Sequence, residues 1–302
     1  MAVSCRTGFR APNTLSSVGA MLSFPDYRCL LAAREGDVAR LVFNRPERRN
    51  ALTHEMMQEL SDAFARITDE VERDPVGLRA LVLRGAGGFF CAGGDIGFMK
   101  EMPPPPPDGQ RDPLVAPYRA FGDTLLELNR LPLPVIAIVD GPAAGGGFGM
   151  ACASDVVIMH ESARFGIPEP RAGFIPSQVL PLIARRIGEG MTRELAVTTR
   201  MMDAREALQV GVGRHLCTTE EEVQAVLARS LDDIRRGEPG AVATVKRLVL
   251  MCATESDAAV LDAAALDLIR LLRGAPAQAG MKAFLEKRRP PWAAAGGSDG
   301  TA

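Results

Sequence analysis

Four short runs rich in apolar and β-branched residues, Val38 to Phe43, Leu78 to Arg84, Pro134 to Val139 and Asp155 to Met159, are each bounded by glycine, proline or charge. Runs of this length and composition read as buried strands. Between the first two, Met56, Met57, Leu60, Phe64, Ile67 and Val71 recur at spacings of three and four, which predicts an amphipathic helix with an acidic, solvated opposite face. Strands separated by helical periodicity point to an α/β core. With 302 residues and 47% hydrophobic content, the chain can bury such a core as one large or two small domains.

After Pro176 the strand signals fade and helices take over. Asp203 followed by Glu206, and Thr219 followed by Glu222, have the spacing of capping boxes, and further helices are expected over Ala241 to Met251 and Ala258 to Leu272. The expected organisation has four parts: an extension at 1–20 that is disordered or precedes the native start, a core over 21–200, a helical region over 201–292, and a disordered small-residue tail at 293–302. Within Met102 to Pro113, five consecutive prolines lack backbone donors and favour extended geometry, so a loop or lid is expected there.

Bulk properties exclude several classes. The net charge of −2 provides no strong attraction to nucleic acid or an anionic membrane. No apolar run approaches the roughly 18 residues that a spanning helix needs. A cytoplasmic protein without nucleic-acid or membrane partners is therefore expected. The six cysteines lack CxxC spacing, so neither a disulfide framework nor a zinc site is expected. His54, His160 and His215 form no ligand pair or triad-like motif, and no G-x-S-x-G elbow exists. No metal is expected.

Two glycine-rich turns follow strands: Phe90-Cys91-Ala92-Gly93-Gly94-Asp95 and Gly141-Pro142-Ala143-Ala144-Gly145-Gly146-Gly147-Phe148-Gly149. Glycine admits close approach of a ligand to the backbone, and free N–H groups at a helix start favour developing negative charge. Two such donors aimed at one oxygen make an oxyanion hole. Tight turns and close helix packing are the plainer explanation for either stretch alone. A dinucleotide-binding loop fits poorly, because Gly145 to Met150 lacks the G-x-G-x-x-G register.

The order Asn44-Arg45-Pro46 with Asn50-Ala51-Leu52, then the two glycine turns, then Phe165-Gly166-Ile167-Pro168-Glu169, and finally Phe284 to Arg288 with Pro290 and Trp292, resembles the enoyl-CoA hydratase/isomerase (crotonase) superfamily over roughly residues 27–292. The resemblance implies a crotonase-like spiral of ββα repeats with a C-terminal helical subdomain, assembled as a homotrimer or a dimer of trimers. It implies an acyl-CoA thioester as substrate and no cofactor beyond the CoA moiety. By the same resemblance, the N–H groups of Gly94 and Gly146 polarise the thioester carbonyl and Glu169 is the acid/base. Burial in a stretch with few other charges would raise the Glu169 pKa toward a useful range. Arg45, Ala51 and Leu52 would lie near the CoA nucleotide. Ala92, Gly93, Asp95, Ile96 and Gly145 would line the bound ester, with Asp95 structural and capping the turn behind the first loop. Phe284 and Lys287 resemble positions that reach the nucleotide across a subunit boundary.

One departure matters. The family's hydratases commonly carry a first glutamate just after the glycine run, and Gly149 stands there instead. The main expectation is reversible hydration of an enoyl-CoA at its 2,3-double bond, with Ser177, Gln178 or Asp140 as candidates for holding water. The run Gly147 to Cys152 with Ile175 to Gln178 resembles hydratases of branched, glutaconyl-type esters. A Δ3,Δ2-enoyl-CoA isomerase using Glu169 alone and a non-catalytic acyl-CoA-binding protein are the alternatives.

Overall fold

The computed structural model describes residues 22–99 and 103–293. The extension at 1–20, Met102 and all of the tail except Ala293 lie outside the described residues.

In chain order the elements are β1 (Leu30–Glu35), β2 (Val38–Phe43), α1 (His54–Arg73), β3 (Ala80–Gly85), α2 (Val115–Arg130), β4 (Val135–Val139), β5 (Pro142–Ala144), α3 (Gly146–Ala153), β6 (Val156–His160), β7 (Arg164–Gly166), α4 (Leu180–Ile187), α5 (Glu189–Thr198), β8 (Met201–Asp203), α6 (Ala204–Gln209), β9 (His215–Cys217), α7 (Glu220–Arg236), α8 (Pro239–Met251), α9 (Asp257–Leu272) and α10 (Ala275–Leu285). A six-stranded sheet runs β1-β2-β3-β4-β6-β9, and a three-stranded one runs β5-β7-β8. The β1–β2 pair is an antiparallel hairpin turning at Gly36, while every later pair in the large sheet is parallel.

The parallel pairing follows from a repeated plan. β4 enters the large sheet, β5 the small one, and α3 follows; β6, β7 and α4 repeat the sequence. After β3, Cys91 makes a parallel bridge to Ala143 of β5, so that repeat also touches the second sheet before α2. This is the ββα spiral. It brings the turn after β3 and the turn after β5 side by side.

A strand in the middle of a parallel sheet is covered on both faces, and β4 is accordingly buried at every residue. On one face α1 contributes Met56, Leu60, Ala63, Phe64 and Ile67 to the main core. On the other, Val38, Ala80, Val82, Ile136, Ile138 and Ile158 pack against Val223, Leu227 and Leu231 of α7. The acidic face of α1 departs from expectation at Glu70, which is buried between Arg34 and Arg73. Two guanidiniums take the place of water around that carboxylate.

The N-cap half of each expected capping box forms: Asp203 accepts from the Glu206 N–H and Thr219 from the Glu222 N–H, while the Glu206 carboxylate turns to Arg200 instead of back to the cap. The Glu222 carboxylate reaches back one residue beyond the cap, to the Thr218 N–H at 2.7 Å. The segment beyond residue 200 is not purely helical. β8 and β9 extend the two sheets there, because strands of three residues carry no readable period. In contrast to the core, α9 has no buried residue, and Leu261, Leu266 and Leu268 are 68%, 75% and 56% exposed. No described helix is long and apolar enough to cross a membrane.

Candidate active site

The first glycine turn is clamped by the segment before α1. Asn50 is fully buried in a left-handed conformation with φ 52–55° shared by its neighbour Arg49. Its Nδ2 donates to the carbonyls of Ala86 and Phe89 at 2.9 and 2.7 Å, while its Oδ1 accepts the Arg45 N–H at 2.9 Å. Asparagine suits the position because its short amide tolerates this backbone and satisfies three main-chain groups at once. The Ala92 N–H donates to Arg49 O, adding a fourth tie.

Leu52 then pairs with the turn in parallel fashion. Its N–H donates to Gly93 O at 2.8 Å and its carbonyl accepts from the Asp95 N–H at 2.9 Å. In such a bridge the residue between the two bonded neighbours faces the other way, so the Gly94 N–H is turned from Leu52. Gly94 is exposed, and its N–H has no acceptor among the described residues.

The second turn delivers a matching donor. Gly145, at φ 49° and ψ −112°, is the residue before α3 and donates to Gly166 O at 3.0 Å. Gly146 opens the helix, and the N–H at such a position has no intrahelical partner. The two turns touch through bare backbone: a Cβ on Gly93 would lie 2.9 Å from Ala144 O and 3.4 Å from Gly146 N. The turn carrying the Gly94 N–H thus lies against a buried helix start, a place that favours negative charge.

Glu169 completes the cluster from the turn after β7. A Cβ on Gly145 would sit 2.0 Å from its Oε1, so the carboxyl lies directly on that glycine. Its Oε2 is buried with no hydrogen-bond partner among the described residues. Burial raises the Glu169 pKa above the ordinary carboxylate range, against a smaller lowering by its own backbone N–H. A carboxyl whose ionisation is disfavoured by burial is suited to take up and release a proton.

Arg45 and Asp95 form an ion pair at 3.3 Å, and Arg45 Nη1 also donates to Ala51 O at 2.6 Å. The other Asp95 oxygen accepts the Gly97 N–H at 3.0 Å, at the head of the short helical turn Ile96–Met99. Both groups therefore brace the loop, and Ile96 is exposed beyond it. Asp140 binds Arg84, which also holds Glu220, so its carboxylate belongs to a tie between β3 and α7. Ser177 and Gln178 line a 590 Å³ groove with residues of α2, α4 and α8, and that lining includes none of Gly94, Gly146 and Glu169. No hydrogen bond among the described residues joins Ser177, Gln178 or Asp140 to Gly94, Gly146 or Glu169, and Asp140 Oδ1 is buried without a partner among them. Phe284 is 83% exposed and Lys287 is exposed at φ 50° after α10. The described residues contain no cluster of three or more His, Cys, Asp or Glu able to hold a metal.

Apolar residues of α2 and of the first segment close on the glycines: Phe121 Cζ and Leu52 Cδ1 would lie 2.9 and 2.6 Å from a Cβ on Gly146, and Leu125 of α2 and Val179 flank Gly149. Tyr118, Phe121, Leu125 and Leu128 recur at helical spacing along α2, a signal in the sequence that could have found them.

Two glycine turns in backbone contact, with a desolvated carboxyl resting on the second, form the candidate site. The ββα spiral that carries it is the crotonase fold: the enoyl-CoA hydratase/isomerase family model matches residues 33–295, and the chain belongs to that family. Enoyl-CoA hydratase EchA19 of Mycobacterium tuberculosis is 34% identical over 263 residues, covering 86% of this chain and 94% of that protein. Among solved structures, Pseudomonas aeruginosa AtuE matches with 38% identity and a TM-score of 0.81, covering 88% of this chain and 100% of its own. An enoyl-CoA hydratase/isomerase from Marinobacter aquaeolei matches with 38% identity and a TM-score of 0.80, covering 88% and 99%.

Proposed function

We propose that the protein is an enoyl-CoA hydratase that adds water reversibly across the 2,3-double bond of an acyl-CoA thioester. The observation that carries this reading is the backbone contact of the Gly93–Gly94 turn with the start of α3 at Gly146, beside the buried Glu169 carboxyl that rests on Gly145. The thioester oxygen sits between the Gly94 and Gly146 N–H donors, which gain strength as charge moves onto it in the enolate. Donors fixed in the fold need no reorganisation during the reaction, and each contributes about 3 kcal/mol in comparable sites. Glu169 handles the proton.

The CoA moiety is the only cofactor-like group required, and the enzyme works in the cytoplasm. It assembles as a homotrimer or a dimer of trimers, a reading supported by the unburied apolar residues of α9 and by Phe284. Assembly places Phe284 and Lys287 beside a neighbour's nucleotide. Sedimentation tests the assembly: a monomer at micromolar concentration contradicts it.

Absorbance of the conjugated thioester tests the reaction with three substrates: crotonyl-CoA, a 3-enoyl-CoA and a branched glutaconyl-type CoA. Loss of conjugation is expected from the two 2-enoyl esters. Gain from the 3-enoyl ester alone identifies an isomerase, and CoA binding without turnover identifies a binding protein. Glu169→Gln is expected to abolish turnover with CoA affinity nearly intact, and full activity in that variant refutes the mechanism.

A further inference from the structure

The groove walled by α2, α4 and α8 takes no part in the reaction derived above. Each helix turns one face to it: Gly122, Leu126 and Asn129 recur at helical spacing along α2, as Leu182 and Arg185 do along α4 and Lys246 and Leu250 along α8. Gln178 closes the end nearer the glycine cluster, where a Cβ on Gly122 would meet its Oε1 and lie 3.0 Å from Arg119 Nη1.

The far end is cationic. Lys246 donates to Leu133 O at 3.0 Å and to Asp155 Oδ2 at 2.7 Å, which fixes it just beyond the C-terminus of α2, beside Arg130. Arg186 donates to the neighbouring Ser154 carbonyl, so α4 brings Arg185 to the same end. The whole lining includes five basic side chains and no carboxylate. Three are answered from outside it: Arg119 by Asp123 at 2.6 Å, Lys246 by Asp155 at 2.7 Å and Arg247 by Asp267. Arg130 and Arg185 have neither an ion pair nor a side-chain hydrogen bond among the described residues. Lys246 is built into the wall, with its side chain 10% exposed; burial lowers its pKa, and Asp155 opposes that shift. An anion here meets two uncompensated guanidiniums and a desolvated ammonium.

Between the two ends the walls are hydrocarbon, from Leu126, Leu182, Leu250 and Met251. Along α2 this stretch, Gly122 to Arg130, covers ~12 Å. No aromatic ring lines the groove, so a nucleobase finds nothing to stack on. Its volume of 590 Å³ is that of a small-molecule pocket.

We propose that this groove is a second ligand site, separate from the thioester site, which binds a free aliphatic carboxylate with its head between Arg130 and Arg185 and its chain along Leu126, Leu182 and Leu250. A guanidinium fork matches a carboxylate through paired hydrogen bonds, and the hydrocarbon walls take the alkyl chain out of water.

The test is calorimetric titration of the full-length, assembled protein with octanoate, octanol and acetate. Octanoate is expected to bind at one site per chain, with octanol at least about tenfold weaker for want of the charge and acetate at least about tenfold weaker for want of the chain. The double variant Arg130→Gln with Arg185→Gln should weaken octanoate by about tenfold or more, while its melting temperature, octanol binding and CoA affinity stay with the parent's. Absence of binding at millimolar octanoate overturns the site, as does equal affinity for acid and alcohol or unchanged octanoate binding in the double variant. Displacement of octanoate by saturating CoA places the acid in the thioester site and overturns the separate groove. None of these readouts requires turnover, so a chain that binds octanoate as described yet hydrates no ester supports the groove and refutes the hydratase reading alone.

Discussion

Replacing Gly145 by alanine should disable the site while barely touching CoA binding. At φ 49° and ψ −112° the native backbone is one that L-residues avoid, so an added methyl strains it by roughly 1–3 kcal/mol. The larger effect is directional. That methyl would stand 2.0 Å from Glu169 Oε1 and 2.9 Å from its Cδ, where ordinary contact begins near 3.4 Å. The carboxyl must retreat by at least ~1.4 Å, or α3 must shift and carry the Gly146 donor with it; a displacement of ~1 Å can cost ~10²-fold in rate. We expect kcat to fall by about 10²-fold or more, with CoA affinity by calorimetry little changed and the melting temperature lower by only a few degrees. A correctly folded Gly145→Ala chain whose kcat stays within about threefold of the parent refutes the placement of Glu169 as the proton carrier.

Asn50→Ala removes three hydrogen bonds to buried main-chain groups and leaves alanine in a left-handed conformation, so it should destabilise by about 3–4 kcal/mol in urea denaturation. A loss below about 1 kcal/mol contradicts the clamp. For Glu169 the folded pKa is raised above the unfolded one, so its contribution to stability is fully present below the ordinary carboxylate pKa and is lost as pH rises through the folded value. Melting curves across pH should therefore show Glu169→Gln gaining on the parent as pH rises through that window, and a widening deficit contradicts the burial argument. Hydration of enoyl-CoA needs the ionised carboxylate, so kcat/KM should rise with pH through the same raised pKa and that limb should vanish with the residue.

The large-sheet strands β2, β3, β4 and β6 were legible because burial on both faces demands continuous apolar runs, and α1 because its burial is one-sided. The edge strand β1 was not, since its exposed and half-buried residues do not alternate. The three-residue strands β5, β7, β8 and β9 are shorter than any period they could show. Helix α3 is buried at every residue and contains three glycines, so neither propensity nor amphipathicity marks it; Leu52 and Phe121 crowd Gly146, the Cys91 backbone crowds Gly147 and Val179 crowds Gly149. Gly94, Gly146 and Glu169 stood out in the sequence only through the resemblance of ordered motifs. The packing of Val179 on Gly149 did not, because a valine before a helix carries no mark of the long-range contact it makes.

Hydration run in heavy water, with the product analysed by NMR, reads the central claim most directly. If Glu169 moves both proton and water beneath an enolate held by Gly94 and Gly146, the product carries one deuterium at C2, on the same face as the new C3 hydroxyl, and Glu169→Gln forms none. Anti addition, or a deuterium distributed over both faces of C2, would require a second proton donor across the site and would contradict the account.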